Sequence, residues 1–414
     1  MIRPPHRRGF LAGLGAGAAV GAVGSNAAAR PDVDAALAAL LDQLAEPAPA
    51  DQAARRRDRL AAFDPTGLCA SSRLDRDIIL AGLDREARLA AGGYAARLSL
   101  LLGADRDPAA LRSAAVAEIE TLHAAADALL AGAGLARGGV GERLRALAAD
   151  PGQLYPDTDA GRNEAVTAMN AWLDRARGWL APLFPDPPVG VGQVAVHRMS
   201  PADEAGGRGG YRQAAVASSA QPGGYWVDLH DIRHRPRWSL ASAVHHETLP
   251  GHLLQLAFEA GAPVHPLRRR YAAGYAEGWA VYAEQLADDQ GAYAGRPLDR
   301  LGYIYWRLFR LGRVVADIAI HTEGWDDDRA STFLADTQGY AVPYATFAAE
   351  VARMRERPGA VAAEGAAAMT IADLKRRAQR VRGADFDIRR FHGALLVNGP
   401  LSVDAMEAAT GLGA

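Results

Sequence analysis

A single cysteine, Cys69, stands among 414 residues. No intrachain disulfide is possible, and a zinc knuckle built on several thiolates is excluded. Lysine is as scarce: Lys375 is the only one, and every other basic residue apart from histidine is arginine. That removes most lysine chemistry, such as a Schiff base on a second lysine. It also removes the Gly-x-x-x-x-Gly-Lys-Ser/Thr phosphate loop, because Lys375 follows Leu374. Charge of one sign is lacking too. The 46 basic and 48 acidic residues leave a formal net charge of −2, which offers no basic field for nucleic acid and no acidic tail. No Gly-x-Ser-x-Gly nucleophile elbow occurs. Gly206–Gly210 is glycine-rich but lacks the strand–loop–helix setting of a dinucleotide site. The composition is otherwise that of a globular protein, and the length suits one large domain or two, with a core that needs no covalent staples.

The first 29 residues read as a targeting segment. Arg7-Arg8-Gly9-Phe10-Leu11 is a twin-arginine pattern, an uncharged Gly/Ala-rich stretch runs from Gly9 to Gly24, and Ala27-Ala28-Ala29 offers a small-residue cleavage site. The stretch is too short and too weakly apolar for a membrane span, so the mature chain is expected to have no stable one. The expectation is a twin-arginine signal peptide over 1–29 and a periplasmic or secreted protein. That route carries folded proteins, often with a cofactor already loaded.

From Pro31 to Pro185 apolar residues recur at three- and four-residue spacing, as in Ile119, Leu122, Ala126 and Leu129. Breaks at Pro47-Ala48-Pro49, Asp64-Pro65-Thr66-Gly67, Gly103, Gly132–Gly139 and Asp150-Pro151-Gly152 divide this stretch into five or six helices. After the Pro-rich 185–188, Val191–His197 alternates weakly and Tyr225–Leu229 reads as a short edge strand. Helices then resume, roughly over Trp238–Ala260, Pro266–Gln290, Pro297–Thr322, Arg329–Gln338, Val342–Arg357, Ile371–Arg382 and Asp387–Val397. The reading is mainly α, with an N-terminal helical region over 30–186, a second domain over 187–414, and a small β element just before the chemistry.

That chemistry lies in His245-His246-Glu247-Thr248-Leu249-Pro250-Gly251-His252 and, 25 residues beyond His252, in Ala276-Glu277-Gly278-Trp279-Ala280. A His-Glu pair, a later His and a Glu on the next helix make the layout of glutamate-type zinc peptidases. Three protein ligands leave zinc an open position, and the Glu beside the first His is free to accept a water proton. The spacing is unusual. His246 and His252 are six apart and would point about 240° apart on a regular helix. Pro250-Gly251 supplies a kink that could bring them together. On spacing alone, a metal site and a kinked helix with buried, hydrogen-bonded histidines both stay open.

The two core motifs, with Gly224–Leu229, Pro236, Gln255, Tyr275–Glu284, Arg313–Asp317, Ile320-His321, Gly324-Trp325, Glu350-Val351, Pro358-Gly359 and Phe386–Arg389 with Phe391-His392, resemble the bacterial family called domain of unknown function 885. The likeness runs in order over about 190 to 400. That family resembles gluzincin metallopeptidases, oligopeptidases with helical walls around a channel. The resemblance implies a multi-helical metallopeptidase-like domain, Zn²⁺ on His246, His252 and Glu277, and Glu247 as general base. The chain departs from the family at Leu253, where a second His is usual, and at Ala360 and Glu364, where Gln and Tyr are usual.

Other residues carry open alternatives. Asp317 and His321 are four apart on one helix face and form either an oxyanion-stabilising catalytic pair or a structural one. His245 points away from His246 and is expected to support the site from behind or pack in the core rather than ligate. Tyr275 and Tyr282 flank Glu277 as phenol donors or as packing. His265 reads as a solvent-facing loop residue, and His230 with His234 as no more than an accidental metal pair. The expectation is a zinc-dependent hydrolase of peptide bonds acting on a peptide or small amide. The alternatives are a metal-binding, non-hydrolytic peptide-binding module and a hydrolase of a non-peptide amide.

Overall fold

The computed structural model describes residues 32–46, 52–215 and 223–412. The expected signal peptide and the break at Pro47-Ala48-Pro49 lie outside the described residues. The chain opens with helices α1 (Val33–Ala45), α2 (Ala53–Ala61), α3 (Ala70–Ala87), α4 (Leu89–Leu102), α5 (Pro108–Gly132), α6 (Val140–Ala149), α7 (Asp159–Arg177) and α8 (Leu180–Leu183). A small sheet follows, with β1 (Ala195–Arg198), the short α9 (Pro201–Ala205), β2 (Tyr211–Gln213) and β3 (Gly224–Val227). Helices then run to the end as α10 (Leu240–Glu247), α11 (His252–Gly261), α12 (Pro266–Arg270), α13 (Tyr275–Asp289), α14 (Pro297–Thr322), α15 (Asp327–Gln338), α16 (Phe347–Glu356), α17 (Ala360–Arg382), α18 (Ile388–Leu396) and α19 (Val403–Ala409). The protein is mainly helical, as its periodicity demands.

Local chemistry places many of the helix ends. Asp107 accepts from the amides of Ala109 and Ala110 with Pro108 at the first helical position, starting α5. Thr158 caps α7 and Thr346 caps α16 in the same way. Gly103, left-handed at φ 68°, stops α4.

The longest helix, α14, is also the most enclosed: every residue from Leu301 to Ile320 is buried. A helix buried all round must be surrounded by other helices, and α5, α10, α15 and α17 pack on it. One apolar cluster runs from Leu37 to Leu412, so residues on both sides of position 187 share a single core.

Several expectations are corrected. The expected strand Tyr225–Leu229 forms over Gly224–Val227 as β3, and it is central rather than an edge: β1 pairs with it in parallel and β2 antiparallel, in the order β1-β3-β2. Three-residue β2 is too short to announce itself by alternation. The register pairs Val196, Tyr225 and Arg212 on one face and His197, Trp226 and Tyr211 on the other. The span Pro266–Gln290 is broken between Arg270 and Tyr275. Helix α17 starts at Ala360, not Ile371, because the Ala-rich stretch before Ile371 has high helix propensity but little hydrophobic periodicity.

The start of α17 is held by its neighbour. Buried Asp317 of α14 accepts from the amides of Gly359 at 3.0 Å and Ala362 at 3.3 Å. Those amides have no partner within their own helix. Asp317→Ala should therefore lower the unfolding free energy in urea by about 1–3 kcal/mol. Asp317→Asn, which keeps an acceptor, should lose clearly less. Equal losses would show that the cap is not what Asp317 contributes.

Candidate metal centre and active site

The span expected as one kinked helix, Trp238–Ala260, is cut in two. Helix α10 ends at Glu247, the Leu249–Pro250 peptide is cis, and α11 begins at His252. The junction is tight. A Cβ on Gly251 would lie 2.0 Å from the carbonyl oxygen of His246 and 2.4 Å from that of His245, so only glycine lets α11 start this close to the end of α10. Trp279 Nε1 donates to the Pro250 carbonyl at 3.0 Å, tying the junction to α13. The result is the reversal that the six-residue spacing requires. The rings of His246 and His252 stand 4.8 Å apart and nearly perpendicular.

Glu277 enters from α13. Its neighbour Gly278 lets α13 approach α17, since a Cβ there would meet that of Ala367 at 2.5 Å. Glu277 Oε2 lies 3.4 Å from His246 Nε2, and Oε1 lies 3.3 Å from His252 Nε2. One ligand atom from each of the three residues falls within 4.8 Å of the others. Ligands about 2.0–2.2 Å from a tetrahedral ion stand about 3.4 Å apart, which is the spacing seen between the carboxylate and each ring. His252 Nε2 is buried and makes no hydrogen bond among the described residues. Two imidazoles and a carboxylate around an orphaned nitrogen fit a zinc-type cation with one position left open.

A second layer holds the first. His246 Nδ1 donates to Glu284 Oε1 at 2.8 Å, and Ser242 Oγ donates to Glu284 Oε2 at 2.7 Å. A ring so held is fixed in orientation, with Nε2 toward Glu277. Burial would lower His246, as would Arg310, yet hydrogen bonds to Glu277 and Glu284 hold it raised to about 9. Burial pushes His252 below its ordinary value, with Glu277 offsetting only part. Burial would raise Glu277, but the two imidazoles hold it well below the carboxylate range. Glu284 is likewise held low against its burial by His246, Arg310 and Ser242.

Glu247, next to His246, makes an ion pair with Arg212 of β2 at 2.9 Å. Both line a cavity of about 310 Å³ together with His246, Glu277, Tyr225 and Tyr344. Arg235, Arg310, Arg313, Arg353 and Glu364 line it as well. Sequence reasoning missed these arginines, Tyr344 and Glu284. Glu284 carries a usable signal, seven residues and so two turns beyond Glu277 on one helix face. The arginines carry none in a chain where arginine supplies nearly all the positive charge.

The structure brings together His246, His252, Glu277 and Glu247, and leaves His321 out. His321 lies roughly 16 Å along α14 from Arg310, stacks on Tyr94 at 5.2 Å, and meets the Met354 carbonyl at 3.1 Å. With Asp317 committed to capping, these contacts fit the structural alternative for the pair rather than the catalytic one. Tyr275 donates to the Leu395 carbonyl and Tyr282 meets His392, so neither phenol faces the triad. His245 is a core residue. His265 caps α12 and meets Asp42 rather than facing only solvent. His234 pairs with Asp231 at the surface. Two of the departures from the family pattern are placed apart: Glu364 lines the cavity, and Ala360 lines a separate one with Leu89, Arg97 and Pro358.

The junction should be intolerant of one methyl group. Gly251→Ala is expected to cost about 1–3 kcal/mol in urea unfolding, as overpacking does. Unchanged stability would mean that α10 and α11 do not approach as closely as described.

Comparisons with known proteins agree with this architecture. No curated protein matches the chain. A solved structure from Colwellia psychrerythraea, provisionally named a lipoprotein, superposes with a TM-score of 0.69 at 24% identity, covering 92% of this chain and 69% of that one. A second, from Shewanella oneidensis, provisionally named a lipoprotein and of unknown function, gives 0.61 at 16% identity, covering 91% and 76%. At these identities the likeness shows the fold alone. The family model described as "Bacterial protein of unknown function (DUF885)" matches residues 15–409, and the chain belongs to that family.

Proposed function

We propose that the protein is an exported zinc-dependent hydrolase that cleaves peptide bonds or related amides, with His246, His252 and Glu277 holding the metal and Glu247 as general base. The observation that carries this reading is the convergence of two imidazoles and a carboxylate, orphaned His252 Nε2 among them, next to a second glutamate, Glu247, that shares a cavity with His246 and Glu277. The order His-Glu, His, Glu along the chain is that of gluzincin peptidases. Export is supported by the twin-arginine pattern at Arg7-Arg8 and by the lipoprotein names of the two structural neighbours. Among the described residues no helix is long and apolar enough to cross a membrane.

A zinc ion held there by His246, His252 and Glu277 would supply Lewis acidity and would lower the pKa of water toward about 7. The chain's own residues do the rest. Glu247 accepts the proton of the attacking water and passes it to the leaving amine. Arg212 fixes the orientation of the Glu247 carboxylate, and Glu284 fixes that of His246. The Arg212–Glu247 pair also favours a second reading, a metal-binding module without turnover, because the guanidinium occupies the carboxylate that would act as base.

Metal analysis with a peptide-library assay separates the two. The purified chain should hold about one zinc, and His252→Ala should lose it. Glu247→Gln should keep its zinc while turnover falls about 10²–10⁴-fold. Full zinc with no cleavage of any amide by the wild type would select the second reading, and a wild type with no affinity for zinc would end both. Glu284→Gln should weaken zinc about 10–100-fold in chelator competition, as loss of an outer-shell partner does; unchanged affinity would remove Glu284 from the metal centre.

A further inference from the structure

The arginines around the cavity are not alike. Arg313 meets Glu350 at 3.5 Å and Glu364 at 3.2 Å, and Arg353 meets Glu350 at 3.6 Å. Arg212 is committed to Glu247. That part of the wall is internally compensated. Arg310 and Arg235 are not. Arg310 is nearly buried, and its nearest carboxylate is Glu284 at 4.0 Å, which already accepts from His246 and Ser242. Among the described residues its one hydrogen bond is a long contact of 3.4 Å from Nη2 to His246 Nε2, and its Nε has no partner. Trp306 and Phe309 wall the guanidinium, and neither offers it an acceptor oxygen. Arg235 lines the same cavity and makes no ion pair with any described residue.

Tyr344, Glu284, Glu277 and Glu364 favour the charged guanidinium from beyond hydrogen-bond distance, but donors that lose hydration and find almost no acceptor among the described residues are costly. Retained beside a pair of metal-binding imidazoles, it is poised for an anion brought from outside. The planar fork matches a carboxylate through two parallel hydrogen bonds. The cavity, about 310 Å³, is at the small end of ligand sites, so it suits a terminal residue or small amide better than the middle of a long chain.

We infer that Arg310, supported by Arg235, binds a carboxylate of the substrate next to the amide presented to His246, His252 and Glu277. The substrates are then peptides or small N-acyl amino acids that carry a negative charge at this point. The inference deepens the hydrolase reading and rests on it for the scissile amide, but carboxylate binding is measurable without cleavage. Two sources share the chemistry: the α-carboxylate of a free C-terminus and an Asp or Glu side chain.

The test uses a two-residue ligand whose amide is replaced by an uncleavable ketomethylene group. It is made as the free acid, as the C-terminal amide, and as a C-terminal amide with a glutamyl side chain. Binding to the full chain with added zinc is read by calorimetry for the wild type, Arg310→Met and Arg235→Gln. The wild type should bind at least one acid-bearing ligand about tenfold or more tighter than the neutral amide. Preference for the free acid assigns the C-terminus, and preference for the glutamyl amide assigns the side chain. Arg310→Met should abolish the preference, and Arg235→Gln should reduce it while leaving the neutral amide unaffected. Equal binding of all three ligands to the wild type, no binding at all, or an undiminished preference in both variants would overturn the inference. Turnover is scored separately on the corresponding amides. Selective binding without turnover sinks the hydrolase reading and spares this one, and turnover indifferent to the carboxylate does the reverse.

Discussion

The close approach of Gly251 to the carbonyl of His246 is the constraint on which the site depends. Six residues separate the two histidines, and a continuous helix would send their rings to different sides. Ending α10 at Glu247 and restarting at His252 reverses the chain within a few residues, and the absence of a Cβ at 251 makes the reversal sterically possible. Trp279 then ties the junction to the helix that carries Glu277, so a hydrogen bond links the break to that helix. Without that reversal, the remaining residues would describe two buried histidines in a helical protein.

Helix α14 does a different task at each of three successive turns. Arg310 faces the imidazoles, Arg313 neutralises Glu350 and Glu364, and Asp317 holds the start of α17. Because α14 is enclosed along its length, each polar group on it must find a partner or carry an energetic cost. Arg313 and Asp317 have partners within the protein. Arg310 has no carboxylate in hydrogen-bond reach among the described residues, which sets it apart from the other two.

Some errors of expectation have a common cause. Asp317 and His321 are legible as a pair, since four residues place them on one helix face, but the direction of that face relative to the histidines is a tertiary fact. Tyr275 and Tyr282 are close to Glu277 in sequence and turned away from it in space. Strand β3 reads correctly as extended, while its central place depends on β2, three residues that no periodicity marks. Glu284 was within reach of a closer reading, being two turns from Glu277; Arg310 and Arg235 were not, because nothing local separates them from the other arginines.

What the residues alone determine is the helical class, the position of many helix ends, and the need for a break at Pro250-Gly251 if His246 and His252 are to meet; the grouping of His246, Glu247, His252 and Glu277 is what the family resemblance implied. The first three follow from periodicity, capping chemistry and the geometry of a single turn, all of which act over a few neighbouring residues. Which buried charges find partners was decided only in three dimensions: His246 on Glu284, Arg212 on Glu247, Arg313 on two glutamates, and Arg310 on none within hydrogen-bond reach. Those pairings join residues 35 to 51 positions apart, and a carboxylate stabilises a guanidinium or imidazole through distance and desolvation, quantities that exist only once the helices have packed.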